Sequence, residues 1–351
     1  MKHVLILTDK LKYACGVTSY VYNLITYSPQ DKVKYFLFAA PGDRVEDFRK
    51  LGIKLFISKH VEYDKKNIFT IIYTFSKLVY IVRKHKIDII HSQNYYLANI
   101  SKVLKKIFRV KTLQTKNNLY PQGRLSQFCS DHYIVVNKDI KEVAVKLFKV
   151  NRNDISVIEY GIPLNNYSIK KDAEKLKILT LSRLVSVKGI DVFIKAVAKL
   201  DKVHKENCEF IIAGEGEEKQ NLVLLNNELE AGVKFFGKTK NPYELFAGSH
   251  IFVIPSIWDM EGFPLSIVEA GFAKNLIIAS NFRGLSSYFE DGIDGFVFEK
   301  GNVDELKEIL KETIRNYKMY YSLIEKAHNK FREIFNIHNM IKKTMNIYET
   351  L

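Results

Sequence analysis

The chain has 351 residues, 47% of them hydrophobic and 26% charged, with three cysteines and seven prolines. This composition excludes a disordered, fibrous or disulfide-stapled protein, and Cys15, Cys129 and Cys208 stand too far apart for a CxxC metal site. The net charge of +15 is uneven: residues 1–170 hold 29 Lys and Arg against 13 Asp and Glu, whereas residues 171–351 hold 25 against 26. A basic half and a neutral half imply two domains, the basic one suited to an anionic partner. The apolar run Val4 to Leu7 is too short for a signal-peptide core, and no stretch approaches the roughly 18 residues that span a bilayer. A reducing, cytoplasmic setting is expected.

In chain order, β-branched runs alternate with longer amphipathic stretches, the pattern of parallel sheets flanked by helices. Strands are predicted at 3–7, 35–39, 54–57, 88–91, 111–114, 132–136 and 156–158, with helices at 16–27, 67–85, 97–108 and 139–147. Gly161, Pro163 and the polar Asn165 and Asn166 interrupt the periodicity over 159–175, which reads as a linker. Further strands are predicted at 176–181, 209–213, 233–236, 250–254, 276–279 and 295–298, and the chain after Gly301 is helical in pattern. The fold class is α/β, with two Rossmann-like domains at 1–165 and 166–330 and a terminal helix, 331–351, that returns to the first domain. Ligands of such sheets bind at the carboxyl ends of the strands, here in a deep inter-domain cleft.

Chemistry concentrates in two segments of the second half. In PSIWDMEGFPLSIVE (255–269) a strand end runs into Gly262, Phe263 and Pro264, a helix-start signal with Pro near the first helical position. The spacing of Glu261 and Glu269 recurs at Glu209/Glu217 and Glu325/Glu333, so context rather than spacing singles the pair out. Free N–H groups at Leu265, Ser266 and Ile267 would form an anion site suited to a diphosphate. Glu269, one turn into the helix, can accept both hydroxyls of a ribose, Glu261 can meet a sugar ring, and Gly262 lets backbone approach the ligand. In LTLSRLVSVKGID (179–191) a strand is followed by Arg183 and Lys188, a planar fork and a point charge able to neutralise a leaving diphosphate.

Together with FIIAGEGEEKQNL (210–222), VKFFGK (233–238) and DGIDGFVF (291–298), these segments resemble the donor-binding domain of family 4, or group 1, retaining glycosyltransferases, and they occur in family order. The resemblance is dense over 172–310 and thinner over 1–170, where Gly16, IDIIHSQN (87–94) and VIEYGIPLNNY (157–167) carry it. It implies the GT-B fold, with an acceptor-binding first domain and a donor-binding second one. It further implies transfer of a hexose-type sugar from a nucleotide-diphosphate sugar, UDP-sugar before GDP-sugar, to a glycan or lipid-linked acceptor. The setting implied is cell-surface polysaccharide biosynthesis, capsule or lipopolysaccharide, with no metal or other cofactor. By resemblance Arg183 and Lys188 are the diphosphate cations, Glu261 the sugar-contacting carboxylate and Glu269 the ribose-binding one. Gly214 and Gly216 line the nucleotide, Lys238 lies near the base, and Gly16 approaches the donor phosphate or the acceptor.

The sequence departs from the family on the acceptor side: Gln93 and Gln114 stand where histidines are frequent, and Ser286 or Ser287 where a Glu is common. With His91, Gln114, Lys116 and Asn117 as acceptor-side candidates, this points to an unusual acceptor. Residues 97–111 place Ile100, Val103, Leu104 and Ile107 at helical spacing among Lys102, Lys105, Lys106, Arg109 and Lys111, a basic amphipathic helix fit for peripheral contact with an anionic membrane. No nucleic-acid partner is expected. Two competing readings are a nucleotide-sugar epimerase of the same fold, acting on donor alone, and a non-enzymatic binder of anionic polymers. The GEG at 214–216 lacks the third glycine of a dinucleotide fingerprint, which sets a dehydrogenase aside.

Overall fold

Strands as uniformly apolar as Val4 to Leu7 must be covered on both faces, and parallel sheets with crossover helices do this. The computed structural model describes residues 1–13, 15–62, 67–117, 127–163, 171, 174–258 and 263–351. Its chain divides into two units, Met1–Pro163 with Ile337–Leu351, and Leu164–Asn336.

The first unit runs β1 (Lys2–Lys10), α1 (Gly16–Tyr27), β2 (Val33–Ala40), α2 (Val45–Lys50), β3 (Lys54–Ile57), α3 (Ile68–His85), β4 (Ile89–Ser92), α4 (Tyr95–Phe108), β5 (Lys111–Lys116), β6 (His132–Val135), α5 (Lys138–Phe148) and β7 (Ile155–Val157). The sheet order is β3-β2-β1-β4-β5-β6-β7, every pair parallel, with Val4 in register with Tyr35 on one side and Ile89 on the other. Asn67, Asn94 and Asn137 cap α3, α4 and α5 by accepting a hydrogen bond from the backbone N–H three residues on. The same helices end on Lys86, Arg109 and Lys149 in the left-handed conformation, with φ of 48°, 56° and 55°. The Asn94 cap explains why α4 starts two residues before the predicted 97.

The second unit runs β8 (Leu176–Leu181), α6 (Ile190–Ala198), α7 (Lys202–Glu206), β9 (Cys208–Ala213), α8 (Lys219–Glu228), β10 (Lys234–Gly237), α9 (Pro242–Ala247), β11 (Ile251–Ile254), α10 (Leu265–Phe272), β12 (Leu276–Ser280), β13 (Phe296–Phe298), α11 (Val303–Arg315) and α12 (Tyr321–Ile334). Its parallel sheet has the order β10-β9-β8-β11-β12-β13. Both sheets reverse their winding beside their first strand, between β1 and β4 and between β8 and β11, which is where ligands of open α/β sheets bind.

The terminal helix α13 (Ile337–Thr350) belongs to the first unit and packs on α1. Gly161 makes room for it: a Cβ there would lie 2.7 Å from the Ile337 Cα. The Gly161 N–H donates to Met340 Sδ at 3.0 Å. Tyr348 of α13 brings its hydroxyl to 2.7 Å from His91 Nδ1, and His91 Nε2 lies 2.7 Å from Thr115 Oγ1.

Candidate functional site

In the second unit the loops at the carboxyl ends of β8, β9 and β11 are stitched to one another. Leaving β8, the Ser182 N–H donates to the Ala213 carbonyl at 3.1 Å and the Leu184 N–H to the Glu215 carbonyl at 3.0 Å; the Glu218 N–H returns to the Leu184 carbonyl at 3.0 Å. Gly214 (φ +143°) and Gly216 permit this contact, since a Cβ at either would lie 1.8 Å from the Ser182 oxygen or 2.1 Å from the Leu184 oxygen. The close approach at these two glycines is thus to the chain's own backbone. On the other flank, the Ile257 N–H donates to the Val187 carbonyl at 3.0 Å, and Gly189 (φ +62°) sits where a Cβ would lie 2.0 Å from the Pro255 oxygen. Ser280 Oγ, from the end of β12, donates to the Ser256 carbonyl at 2.5 Å.

This lattice holds Arg183 and Lys188 on one short loop at the β8/β11 switch point. Arg183 is exposed and has no ion-pair partner among the described residues; Lys188 is buried at the end of a single 3-10 turn. Lys238, just past β10, is exposed.

The helix that follows β11 contributes its amino end. Pro264 is its N-cap, with extended φ −63° and ψ 130°. The Ile267 N–H closes onto the Pro264 carbonyl at 3.1 Å, so it is not one of the free donors foreseen from the sequence. Leu265 and Ser266 keep N–H groups without an acceptor among the described residues. Phe263 is a second correction: its ring is buried, stacks on Phe335 at 5.3 Å and 3° and meets Tyr288 edge-on at 5.2 Å, so it anchors the start of α10. Glu269, in the second turn, is partly exposed and hydrogen-bonds to no described side chain, and burial pushes its carboxyl up to about 8. Glu261 and Gly262 lie outside the described residues.

The DGIDG motif proves to be a turn device: buried Asp294 accepts from the Glu290 N–H at 2.8 Å and pairs with Lys330 at 2.5 Å, and Asp291 accepts from the Val297 N–H at 2.7 Å.

In the first unit His91 is fully buried, with both ring nitrogens engaged by Tyr348 and Thr115, and burial drives its pKa down to about 3. It is a neutral core brace, which corrects its place among the acceptor-side candidates. Its neighbours differ. Gln93, one residue past β4, and Gln114 on β5 are buried with both amide atoms unpartnered among the described residues; Asn117 Oδ1 is likewise buried and unpartnered. Lys116 donates to Gln127 Oε1 at 2.8 Å and lies 5.1 Å over the Phe128 ring, and burial lowers it to about 8. Sequence reasoning missed Gln127 and Phe128, which no periodicity links to β5. Gly16 opens α1 beyond β1 and is exposed. Among the described residues no cluster of His, Cys, Asp or Glu could hold a metal ion.

Two consecutive parallel-sheet units wound in this way define the GT-B class of α/β proteins. The family model described as "Glycosyl transferases group 1" matches residues 164–330, and that described as "Glycosyltransferase Family 4" matches residues 14–166. The chain belongs to this family of group 1, family 4 glycosyltransferases. It is 28% identical over 240 residues to an uncharacterized glycosyltransferase of Methanocaldococcus jannaschii, covering 65% of this chain and 61% of that protein. It is 24% identical over 300 residues, 76% of each chain, to the Escherichia coli UDP-Gal:alpha-D-GlcNAc-diphosphoundecaprenol alpha-1,3-galactosyltransferase. Among solved structures, Anabaena HepE in complex with UDP-glucose superposes with a TM-score of 0.85 at 17% identity, covering 100% of both chains.

Proposed function

We propose that the chain is a retaining, metal-independent glycosyltransferase that moves a hexose-type residue from a UDP-sugar to a glycan or lipid-linked acceptor in cell-surface polysaccharide assembly. The observation that carries the reading is Glu269. A carboxyl held in partial burial with no cation paired to it among the described residues, in the second turn of a helix that follows the switch-point strand, is suited to a ligand that brings paired hydroxyls. A ribose does so, and its diphosphate would then lie toward the Leu265 and Ser266 N–H groups and Arg183.

In this reading Arg183 and Lys188 neutralise the charge that grows on the leaving diphosphate, and Glu261 contacts the sugar. The acceptor hydroxyl attacks the anomeric carbon on the face from which UDP departs. The C–O bond to the diphosphate breaks, the new glycosidic bond forms, and the hydroxyl proton passes to a diphosphate oxygen. Lys238 lies near the base, Gly214 and Gly216 line the nucleotide from the loop they fix against Ser182 and Leu184, and Gly16 and Gly262 serve backbone approach. The amides of Gln93 and Gln114 and the Asn117 Oδ1, unpartnered among the described residues, suit a polyhydroxylated acceptor. The E. coli relative acts on a diphosphoundecaprenol-linked sugar and HepE was solved with UDP-glucose, which supports a UDP-sugar and a lipid-linked acceptor here.

The test is a thermal-shift titration with UDP, GDP, ADP and CMP in EDTA. A rise in Tm with UDP that EDTA leaves intact is the expected result. Absence of a shift with all four nucleotides would overturn the donor assignment.

A further inference from the structure

Helices α3 and α4 lie side by side on one face of the seven-stranded sheet, joined to its core through Leu78, Ile81, Val82, Leu97, Ile100 and Leu104. A helix in that position ordinarily shows water a polar outer side. In α3 the outer side is apolar: Ile68, Phe69 and Ile72 are 63, 79 and 56% exposed, and Tyr73 and Tyr80 are exposed as well. Phe69, Ile72, Tyr73 and Tyr80 follow helical spacing along one stripe, opposite the buried Thr70, Thr74, Leu78 and Ile81. The stripe gives way toward its carboxyl end to Arg83 and Lys84, and Lys77 stands beside it.

In α4 the apolar stripe read from the sequence is divided: Ile100 and Leu104 are buried, while Val103 and Ile107 are exposed among Lys102 and Lys106. Neither helix contains an Asp or Glu. No helix among the described residues is long and apolar enough to cross a membrane.

We propose that the α3–α4 face is a docking surface for an anionic lipid bilayer, with Phe69, Ile72 and Tyr73 entering the boundary between headgroups and acyl chains. Lys77, Arg83, Lys84 and Lys102 then meet the lipid phosphates. Exposed aromatics beside long cations are the composition of an interfacial helix, and the cation stems cover apolar surface while their heads stay with the phosphates. Charge selects this occupant over a second copy of the chain. The first unit carries 30 Lys and Arg against 14 Asp and Glu, a net +16, so two such faces repel each other. Four cations at an anionic surface give on the order of a thousandfold enrichment. The inference is independent of the donor and acceptor assignments.

The experiment is flotation of the full chain with phosphatidylcholine vesicles, with and without phosphatidylglycerol, at low and high salt. The protein should float with the anionic vesicles alone, and high salt should release it. The combined variant Phe69→Ser, Ile72→Ser, Tyr73→Ser, and separately Lys77→Glu with Lys84→Glu, should lower the bound fraction by roughly tenfold. Far-UV circular dichroism and Tm check that each variant is folded. A further variant keeps the face intact: Ile72→Trp, read against the parent whose one tryptophan is Trp258 in the second unit, should shift its emission to the blue with anionic vesicles. Failure of the parent to float at low salt, flotation of the serine variant equal to the parent, or an unshifted emission from the Ile72→Trp variant would each overturn the proposal. So would self-association of the parent that the serine variant abolishes without any vesicle binding. The nucleotide titration is read separately and does not depend on these outcomes.

Discussion

Glu269 is neutral over much of the physiological range because burial raises its pKa from the ordinary 4.5 to about 8. The folded state then binds more protons than the unfolded chain between those values. The stability this group allows is fully present below about 4.5 and is lost as pH rises through about 8. A Tm that declines from pH 5 to 8.5 in the parent and declines less in Glu269→Gln would show it. Ligand hydroxyls that donate to the carboxylate favour its charged form, so UDP affinity should rise with pH over the same window and lose that dependence in Glu269→Gln. Equal pH slopes in parent and variant would remove Glu269 from the ribose. Arg183, exposed and without an ion-pair partner among the described residues, should matter to turnover more than to folding. Arg183→Ala should lower kcat by about 10²-fold with Tm nearly unchanged. At Gly214 the problem is steric, with a Cβ 1.8 Å from the Ser182 oxygen. Gly214→Ala should destabilise the second unit by about 1–3 kcal/mol and weaken UDP binding through the displaced Arg183 loop, as calorimetry would register.

At the scale of elements, α13 is bound into the first unit by the Tyr348–His91–Thr115 chain and by the close seat at Gly161. Tyr348→Phe removes one buried hydroxyl and leaves a His91 nitrogen unpartnered, costing about 1–3 kcal/mol in a denaturant melt. His91 adds a pH dependence of the opposite sense to that of Glu269. Buried neutral with a pKa of about 3, it binds fewer protons than in the unfolded chain, whose histidine titrates near 6.5, so acidification from 6.5 toward 3 destabilises the first unit. The α10 start works differently: Phe263 is stacked among Phe335, Phe331 and Tyr288, so the helix end that bears Leu265 and Ser266 is fixed by a ring of aromatics from α12 and its neighbours. Phe335→Ala should loosen that end and weaken nucleotide binding without touching any ligand contact.

For the whole molecule, charge separates the tasks. The first unit is net +16 and the second net −1, so salt acts on the two differently. Vesicle flotation should fall steeply with ionic strength, whereas the UDP-induced Tm rise, made by a few groups in a partly buried site, should change little.

Periodicity and turn residues were sufficient for most of the fold. The limits of α1, β3 and β8 were legible to the residue, because each apolar run stops directly before a serine, Ser28, Ser58 or Ser182, that opens a turn or loop. The context of Glu269 after a strand and a Pro-led helix start was equally plain. Other roles depended on what came to lie beside a residue from far along the chain. His91 became a core brace only when Tyr348, 257 positions away, closed on it. Gly214 and Gly216 met carbonyls of another loop, Phe263 met Phe335, and Gln127 met Lys116. Local spacing thus determined most of the strands and the helices of the first unit, and the resemblance of the motifs pointed to the family. Burial, unpartnered amides, the raised pKa of Glu269 and the exposed apolar side of α3 were decided by tertiary structure, because each depends on which distant groups replace water around a side chain.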